Sequence, residues 1–275
     1  MGELEGKVAI VTGAGRLRGI GRASAVALAQ LGADVVVTGT GRDPATFPPD
    51  EKAVGWKDIE STAEEVRALG RRALPLIVNV TNRQQVQAAV DRTIQEFGRV
   101  DILVANAGGM AGDRTMSHAS RVPEDDFRAN LDRNLMGTVF CCQAAAVPMK
   151  RQRSGRIVTV ASIAGLRGLQ DGYYASYGTA KAAIINYTRY LAAELAPFGI
   201  NVNCLAPAYI NTRRLATWNA WDTEEGLRPV LSQIPMGRLG EVEDCAKVVE
   251  FFVTDLSDYV TGQCLSVCGG AVSFR

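Results

Sequence analysis

Lys7-Val8-Ala9-Ile10-Val11-Thr12, followed by Gly13-Ala14-Gly15-Arg16-Leu17-Arg18-Gly19-Ile20-Gly21, is the stretch that decides the fold. The first six residues form a short β-branched run, which reads as a buried strand. After the glycines an Ala-rich helical pattern runs to Leu31 and stops at Gly32, and Asp34 to Thr38 reads as a second strand. Strand, Gly-rich turn, helix and strand in this order make a βαβ unit. The glycines let the backbone turn tightly and approach a pyrophosphate. The helix N-terminus offers it free N–H groups and the positive end of a dipole. In this context the turn points to dinucleotide binding rather than to a tight turn alone.

The alternation continues outward. Helical patterns at 57–69, 84–97, 125–150, 177–195 and 242–254 lead to apolar runs at 74–80, 100–106, 156–161, 201–206 and 263–267. With the first two, that makes about seven strands. Continuous apolar strands alternating with helices imply a parallel sheet covered on both faces. No linker or internal repeat divides the chain, so an α/β single domain over residues 1–275 is expected. Residues 40–56 are polar and Pro-rich and read as an irregular surface loop. Residues 209–235 form a second insertion, carrying Trp218, Trp221 and the adjacent Arg213 and Arg214. Long loops in such folds are usually lids or binding loops.

A second stretch carries chemistry. Ser162 follows the apolar run 156–161, and Tyr177-Gly178-Thr179-Ala180-Lys181 opens a helix. Residues four apart share a helix face, so the Tyr177 phenol and the Lys181 ammonium project side by side. A phenol with a pKa of about 10 is a poor base at neutral pH. A neighbouring cation favours the phenolate. On its own, Tyr-x-x-x-Lys is a weak signal, better read as a surface helix with a packed tyrosine and a solvated lysine, and the rest of the chain must decide. Tyr173 and Tyr174 are rival phenols, but neither has a Lys four residues on.

Composition narrows the field. Hydrophobic content is 47% and charged content 21%, ordinary for a globular chain. The formal net charge of +1 gives no field that would favour nucleic acid or an anionic membrane. The single histidine, His118, argues against a His-based metal site or a Ser-His-Asp triad. None of the six Cys forms Cys-x-x-Cys, and they read as small buried hydrophobes in a reducing compartment. No apolar run approaches the roughly eighteen residues a span needs, and the charged N-terminus has no targeting core. The expectation is a cytoplasmic protein with no metal and no membrane or nucleic-acid partner.

The whole pattern resembles the short-chain dehydrogenase/reductase family, in particular members of the 3-oxoacyl-carrier-protein reductase kind. The resemblance rests on Gly13 to Gly21, Asn79-Val80, Asn106-Ala107-Gly108, Asn134, Ser162, Tyr177, Lys181, and Ala206-Pro207-Ala208-Tyr209-Ile210-Asn211-Thr212. Tyr259-Val260-Thr261-Gly262-Gln263 adds to it. It covers almost the full length and implies a doubly wound Rossmann-type sheet. The chain departs from the usual pattern at several points. Five residues rather than three separate Gly13 from Gly19. Asn79 stands where Asp is usual, Ala105 where Asn is frequent, Ala208 where Gly is common, and Cys268 where Asp is common.

The resemblance implies hydride transfer between a nicotinamide and a ketone or secondary alcohol. It makes Tyr177 the general acid/base, Ser162 the hydrogen-bond partner of the substrate oxygen, and Lys181 the group that lowers the Tyr177 pKa and holds the nicotinamide ribose. Asn134 would hold a water that relays protons. Cofactor contacts are expected from Gly13, Arg18, Gly19, Ile20, Gly21, Arg42, Asn79, Val80, Asn106, Ala107, Gly108, Tyr177, Lys181, Pro207, Ile210 and Thr212. No acid ends the second strand, and Arg18 and Arg42 lie close by in sequence, so NADP is the expected cofactor, with NAD the alternative. Family members are usually tetramers or dimers, and a homotetramer is expected. Epimerase, dehydratase or enoyl reductase chemistry, or a non-catalytic dinucleotide-binding protein, are the alternative functions.

Overall fold

Strand β1 (Val8–Thr12) is buried at every residue and lies inside a sheet of seven parallel strands in the order β3-β2-β1-β4-β5-β6-β7. The computed structural model describes residues 2–169, 172–213, 215–216, 221 and 223–272. The other strands are β2 (Asp34–Gly39), β3 (Ala73–Ile77), β4 (Ile102–Ala105), β5 (Gly155–Val160), β6 (Ile200–Pro207) and β7 (Cys264–Val267). Ala9 pairs with Val35 on one side and Ile102 on the other. The chain therefore leaves β1 in one direction for β2 and β3, and in the other for β4 to β7. That reversal opens a crevice at the carboxyl ends of β1 and β4, where such sheets bind ligands.

Helices α1 (Ile20–Gln30), α3 (Ile59–Ala68) and α9 (Val242–Val253) cover one face, and α4 (Arg83–Phe97), α6 (Gly137–Gln152) and α7 (Ala175–Leu195) the other. The strands divide between them with period two. Val11, Val35, Val37 and Val104 face the first layer, while Ile10, Val36, Leu103 and Ile157 face the second. Both faces are dry across the central strands, as continuous apolar strands require, while the edge strands β3 and β7 are partly exposed. The sheet thus agrees with the sequence expectation of an α/β, doubly wound single domain.

Three segments differ from that expectation. Residues 40–56 are not an irregular surface loop. They contain a short 3-10 turn, Pro44–Thr46, and helix α2 (Pro49–Ala53), and they bury Phe47, Trp56 and Glu51. The reason is a buried carboxylate: Glu51 is fully enclosed and receives the Leu17 N–H and the Arg42 guanidinium. The helix expected at 125–150 is present as a continuous helical run, but it is interrupted by a π-helical turn at Leu131–Met136 between α5 (Glu124–Asn130) and α6. The 209–235 insertion carries α8 (Glu224–Leu231) and its own apolar cluster of Ala216, Trp221, Val230 and Ile234. Trp218 lies outside the described residues.

Candidate active site

Ser162 leaves the end of β5 as the cap of a 3-10 turn, Ile163–Gly165, and its Oγ accepts from the Ala164 N–H at 3.2 Å. Its own hydrogen is left to donate elsewhere. Two glycines let this turn sit on α7. A Cβ at Gly165 would lie 2.6 Å from the Ala182 nitrogen, and one at Gly178 would lie 2.8 Å from the Ala164 oxygen. The close approach brings Ser162 toward the first two turns of α7, where Tyr177 and Lys181 stand. Lys181 is 3% exposed; its Nζ donates to the Val160 carbonyl at 2.7 Å and lies 5.5 Å from the Tyr177 ring centroid. The Tyr174 ring packs edge-on to Tyr177 at 6.3 Å. Burial pushes the Tyr174 phenol pKa up, and neighbouring Arg114 opposes that shift. Sequence reading gave Arg114 no part. Its guanidinium lies 5.4 Å from the Tyr174 ring centroid.

Asn134 sits in the π-turn with no exposed surface. Its amide donates to the carbonyls of Gly109 and Asn130, and its Oδ1 accepts from the Gly109 N–H at 2.9 Å. Both side-chain hydrogens are thus spent on backbone. Asn130, which the sequence did not single out, does the same one turn earlier. It binds the N–H and C=O of Ala111, and donates to the Ser176 hydroxyl at 3.1 Å. The two amides brace the loop after β4 against α7. A Cβ at Gly108 would meet Asn134 Oδ1 at 2.7 Å and Lys181 Nζ at 3.5 Å, so only glycine lets that loop pass the site.

The expected dinucleotide crevice is bounded by Gly13 and Asn106. Gly13 has φ +69°, and a Cβ there would lie 2.8 Å from the Ala107 Cα. Asn106 Nδ2 donates to the carbonyls of Thr12 and Gly13, and the Ala107 N–H to the Thr12 hydroxyl. Helix α1 starts at Ile20 with Gly19 as its cap, no side-chain cap bond and no acid in its first turn. Its leading N–H groups meet no competing anion from the helix itself, which suits a pyrophosphate. A Cβ at Gly21 would lie 2.6 Å from the Gly13 oxygen, so the turn must be bare of side chains to close. At the end of β2 the buried Thr38 hydroxyl has no hydrogen-bond partner. These features fit a dinucleotide.

The other expected cofactor residues are placed as follows. Asn79 Oδ1 accepts from the N–H and the hydroxyl of Thr81, closing a local turn after β3. Val80 is buried and packs where Gly137 leaves room for its Cγ2. Pro207 ends β6, Ile210 is buried and bridges to Gly240, and the Thr212 N–H bonds the Ile210 oxygen.

The two arginines are both engaged. Arg18 bonds the Asn211 side chain in the segment after β6. Arg42 donates Nη1 to Glu51 at 2.7 Å, Nε to Asp58 at 2.9 Å and Nη2 to the Gly15 oxygen at 2.8 Å. Glu51 and Asp58 escaped the sequence reading, although Asp58 carries a visible strain in the structure. It holds φ 55° and ψ −130° just before α3 and is 6% exposed. For a non-glycine residue such a conformation costs on the order of 1–3 kcal/mol and clusters at functional sites.

Among the described residues no group of three or more His, Cys, Asp or Glu could hold a metal ion, and no helix is long and apolar enough to cross a membrane. The six cysteines are free, four of them buried.

Residues 13–272 match a family model described as enoyl-(acyl carrier protein) reductase. Cyclohexanol dehydrogenase of Rhodococcus sp. (strain TK6) is 47% identical over 267 residues, 97% of this chain and 96% of the relative. A 3-oxoacyl-[acyl-carrier-protein] reductase of Synechocystis sp. is 36% identical over 275 residues, the full length of both. The crystal structure of NAD+-bound xylitol dehydrogenase superposes with a TM-score of 0.82 at 30% identity, over 97% of this chain and 99% of that one. The chain belongs to the short-chain dehydrogenase/reductase family, as an oxidoreductase that acts on alcohol and ketone groups with a nicotinamide cofactor.

Proposed function

We propose that this chain interconverts a secondary alcohol and its ketone, with alicyclic alcohols of the cyclohexanol type as the first substrate class to test. The observation that carries the reading is the convergence of Ser162, Tyr177 and the anchored Lys181 at the carboxyl edge of β5. The 47% identical cyclohexanol dehydrogenase supports the substrate class.

A nicotinamide, when bound, supplies the hydride chemistry. The chain's own groups manage the oxygen and its proton. In oxidation, the Tyr177 phenolate takes the hydroxyl proton of the substrate; in reduction, the phenol returns it. Lys181 stabilises the phenolate from beneath the same helix face. Ser162, whose Oγ already accepts from Ala164, donates its hydrogen to the substrate oxygen where charge develops. Asn134 and Asn130 act by position, holding the Gly108–Ala111 loop beside Lys181. Gly13, Gly19, Ile20 and Gly21 would hold the pyrophosphate of the dinucleotide, and Asn106, Ala107, Gly108, Pro207, Ile210 and Thr212 would supply its further contacts.

NADP is the reading of Arg18 and Arg42 as sequence neighbours of the second strand. Their bonds to Asn211, Glu51 and Asp58 favour NAD instead. The assembly is a homotetramer built on α6 and α7, and the compartment is the cytoplasm.

The test is an assay of cyclohexanol, cyclohexanone, a 3-oxoacyl thioester and an enoyl thioester with each reduced or oxidised nicotinamide. Reversible cyclohexanol oxidation is the expected result. Turnover of the enoyl thioester alone, which the description of the family model would favour, overturns the reading.

A further inference from the structure

We infer that Asp58, delivered from the start of α3, is the carboxylate that receives the adenosine ribose 2′-hydroxyl, and that it makes the chain select NAD over NADP. The inference rests on the dinucleotide-binding reading above and names the residue that sets its specificity.

In folds of this type an acid near the end of the second strand accepts from the 2′-hydroxyl, while an arginine there accommodates a 2′-phosphate. Here β2 ends at Gly39, and no side chain can leave from that position. A Cβ on Gly39 would lie 2.7 Å from the Ile59 Cγ2. The same corner is instead filled by the residue before Ile59. The Asp58 Oδ2 lies 3.7 Å from that Gly39 Cβ position, and its Oδ1 lies 2.1 Å from a Cβ built on Gly15. The carboxylate thus packs on the glycine turn and lies beside the strand end, the two elements between which the ribose would lie. Reaching that corner forces the strained backbone of Asp58, whereas a residue that merely began α3 needs no φ of 55°.

The charges around it oppose a phosphate. Arg42 is the only guanidinium bonded to Asp58 among the described residues, and its Nε and both Nη atoms are occupied by Asp58, Glu51 and the Gly15 oxygen. Arg16 is the second cation of the group, and burial followed by Arg42 pushes its pKa down. Glu51, fully enclosed, is the second anion. Two guanidinium groups thus face two carboxylates, and the cluster is balanced before any ligand arrives. A 2′-phosphate could reach Arg42 only by displacing a carboxylate, and would then lie against the other. A 2′-hydroxyl needs only one lone pair of Asp58. Asp58 Oδ1 meets Arg42 Nε at 2.9 Å and Nη2 at 2.8 Å, while Oδ2 accepts only the Arg42 backbone N–H and keeps capacity for another bond.

The experiment is direct titration of NADH and NADPH, read by nicotinamide fluorescence without substrate, on wild type, Asp58→Asn and Asp58→Gly. Both variants fit the site, because Asn tolerates positive φ and Gly adopts it freely. Thermal melts verify that they stay folded. Wild type should bind NADH more tightly than NADPH. Asp58→Gly should lose roughly ten- to a hundredfold in NADH affinity, the value of a hydrogen bond to a charged group. Its NADPH affinity should hold or rise, because Arg42 is freed. Asp58→Asn should lie between. Tighter NADPH binding by wild type, or equal losses for both nucleotides in Asp58→Gly, overturns the role of Asp58 alone. Failure of wild type to bind either nucleotide overturns the dinucleotide reading along with it.

Discussion

Lys181 Nζ donates to the carbonyl of Val160 at 2.7 Å, so the ammonium beside Tyr177 is tied to the end of β5 rather than left on a flexible stem. The tie joins the strand that delivers Ser162 to the helix that delivers Tyr177. It also holds a cation with 3% exposure where screening by water is weak. Lys181→Met keeps the stem's volume and removes the charge. Without it the phenolate of Tyr177 is less favoured and the phenol pKa rises. Alcohol oxidation needs the phenolate, so the rising limb of its pH–rate profile should move to higher pH. At neutral pH kcat should fall by roughly a hundredfold or more. An unchanged profile would remove Lys181 from proton management.

Tyr177→Phe deletes the phenol oxygen and keeps the ring. It should lower kcat by roughly 100- to 10,000-fold, the range of general acid–base catalysis, with nucleotide affinity retained. Tyr174→Phe is the matched control. Burial already pushes the Tyr174 phenol away from deprotonation, so its loss should leave the pH profile in place. If Tyr174→Phe proves the more damaging, the two phenols exchange roles.

Gly165 tests how the site is held together. A Cβ there would lie 2.6 Å from the Ala182 nitrogen and 2.6 Å from the Lys181 carbonyl carbon, and neither backbone atom can move without shifting α7. Gly165→Ala should cost about 1–3 kcal/mol, as overpacking does, and should pull Ser162 away from Tyr177. Gly168→Ala, where a Cβ meets nothing within 4 Å, should be silent. Urea midpoints and kcat measured together would show whether stability and activity fall in step at Gly165.

Much of this was legible in the sequence, for stated reasons. Strands buried on both faces read as continuous apolar runs, and helices announced their ends at Gly32 and Pro197. Tyr177 and Lys181 were legible because helical spacing alone puts them on one face. Glu51 and Asp58 were not. Residues 40–56 are polar and Pro-rich without a period, and the burial of Glu51 is fixed by the Leu17 N–H, 34 residues away in sequence. Arg42 was legible as a cation, but its partners Glu51 and Asp58 were not. The π-turn at Asn134 was hidden for a similar reason: its apolar spacing reads as ordinary helix on either side, and the extra residue per turn leaves no mark in the pattern.

Assembly gives the last prediction. Tyr190 is 73% exposed on α7 and Val147 49% exposed on α6, and between them Ala146, Tyr187 and Leu191 line a shared groove. The Lys150–Glu194 ion pair at 2.6 Å lies at its edge. Tyr187 is half-buried in the groove, and that burial is the main cause that pushes its phenol pKa up. An apolar strip bounded by an ion pair has the composition of an interface core with a polar rim. A second copy laid across α6 and α7 would cover it. Light scattering at micromolar concentration should read four chains. Tyr190→Glu puts a charge into that contact and should yield a smaller assembly with an unchanged circular dichroism spectrum. Wild-type protein running as a monomer would refute the tetramer. An unaltered tetramer in Tyr190→Glu would move the interface away from this groove.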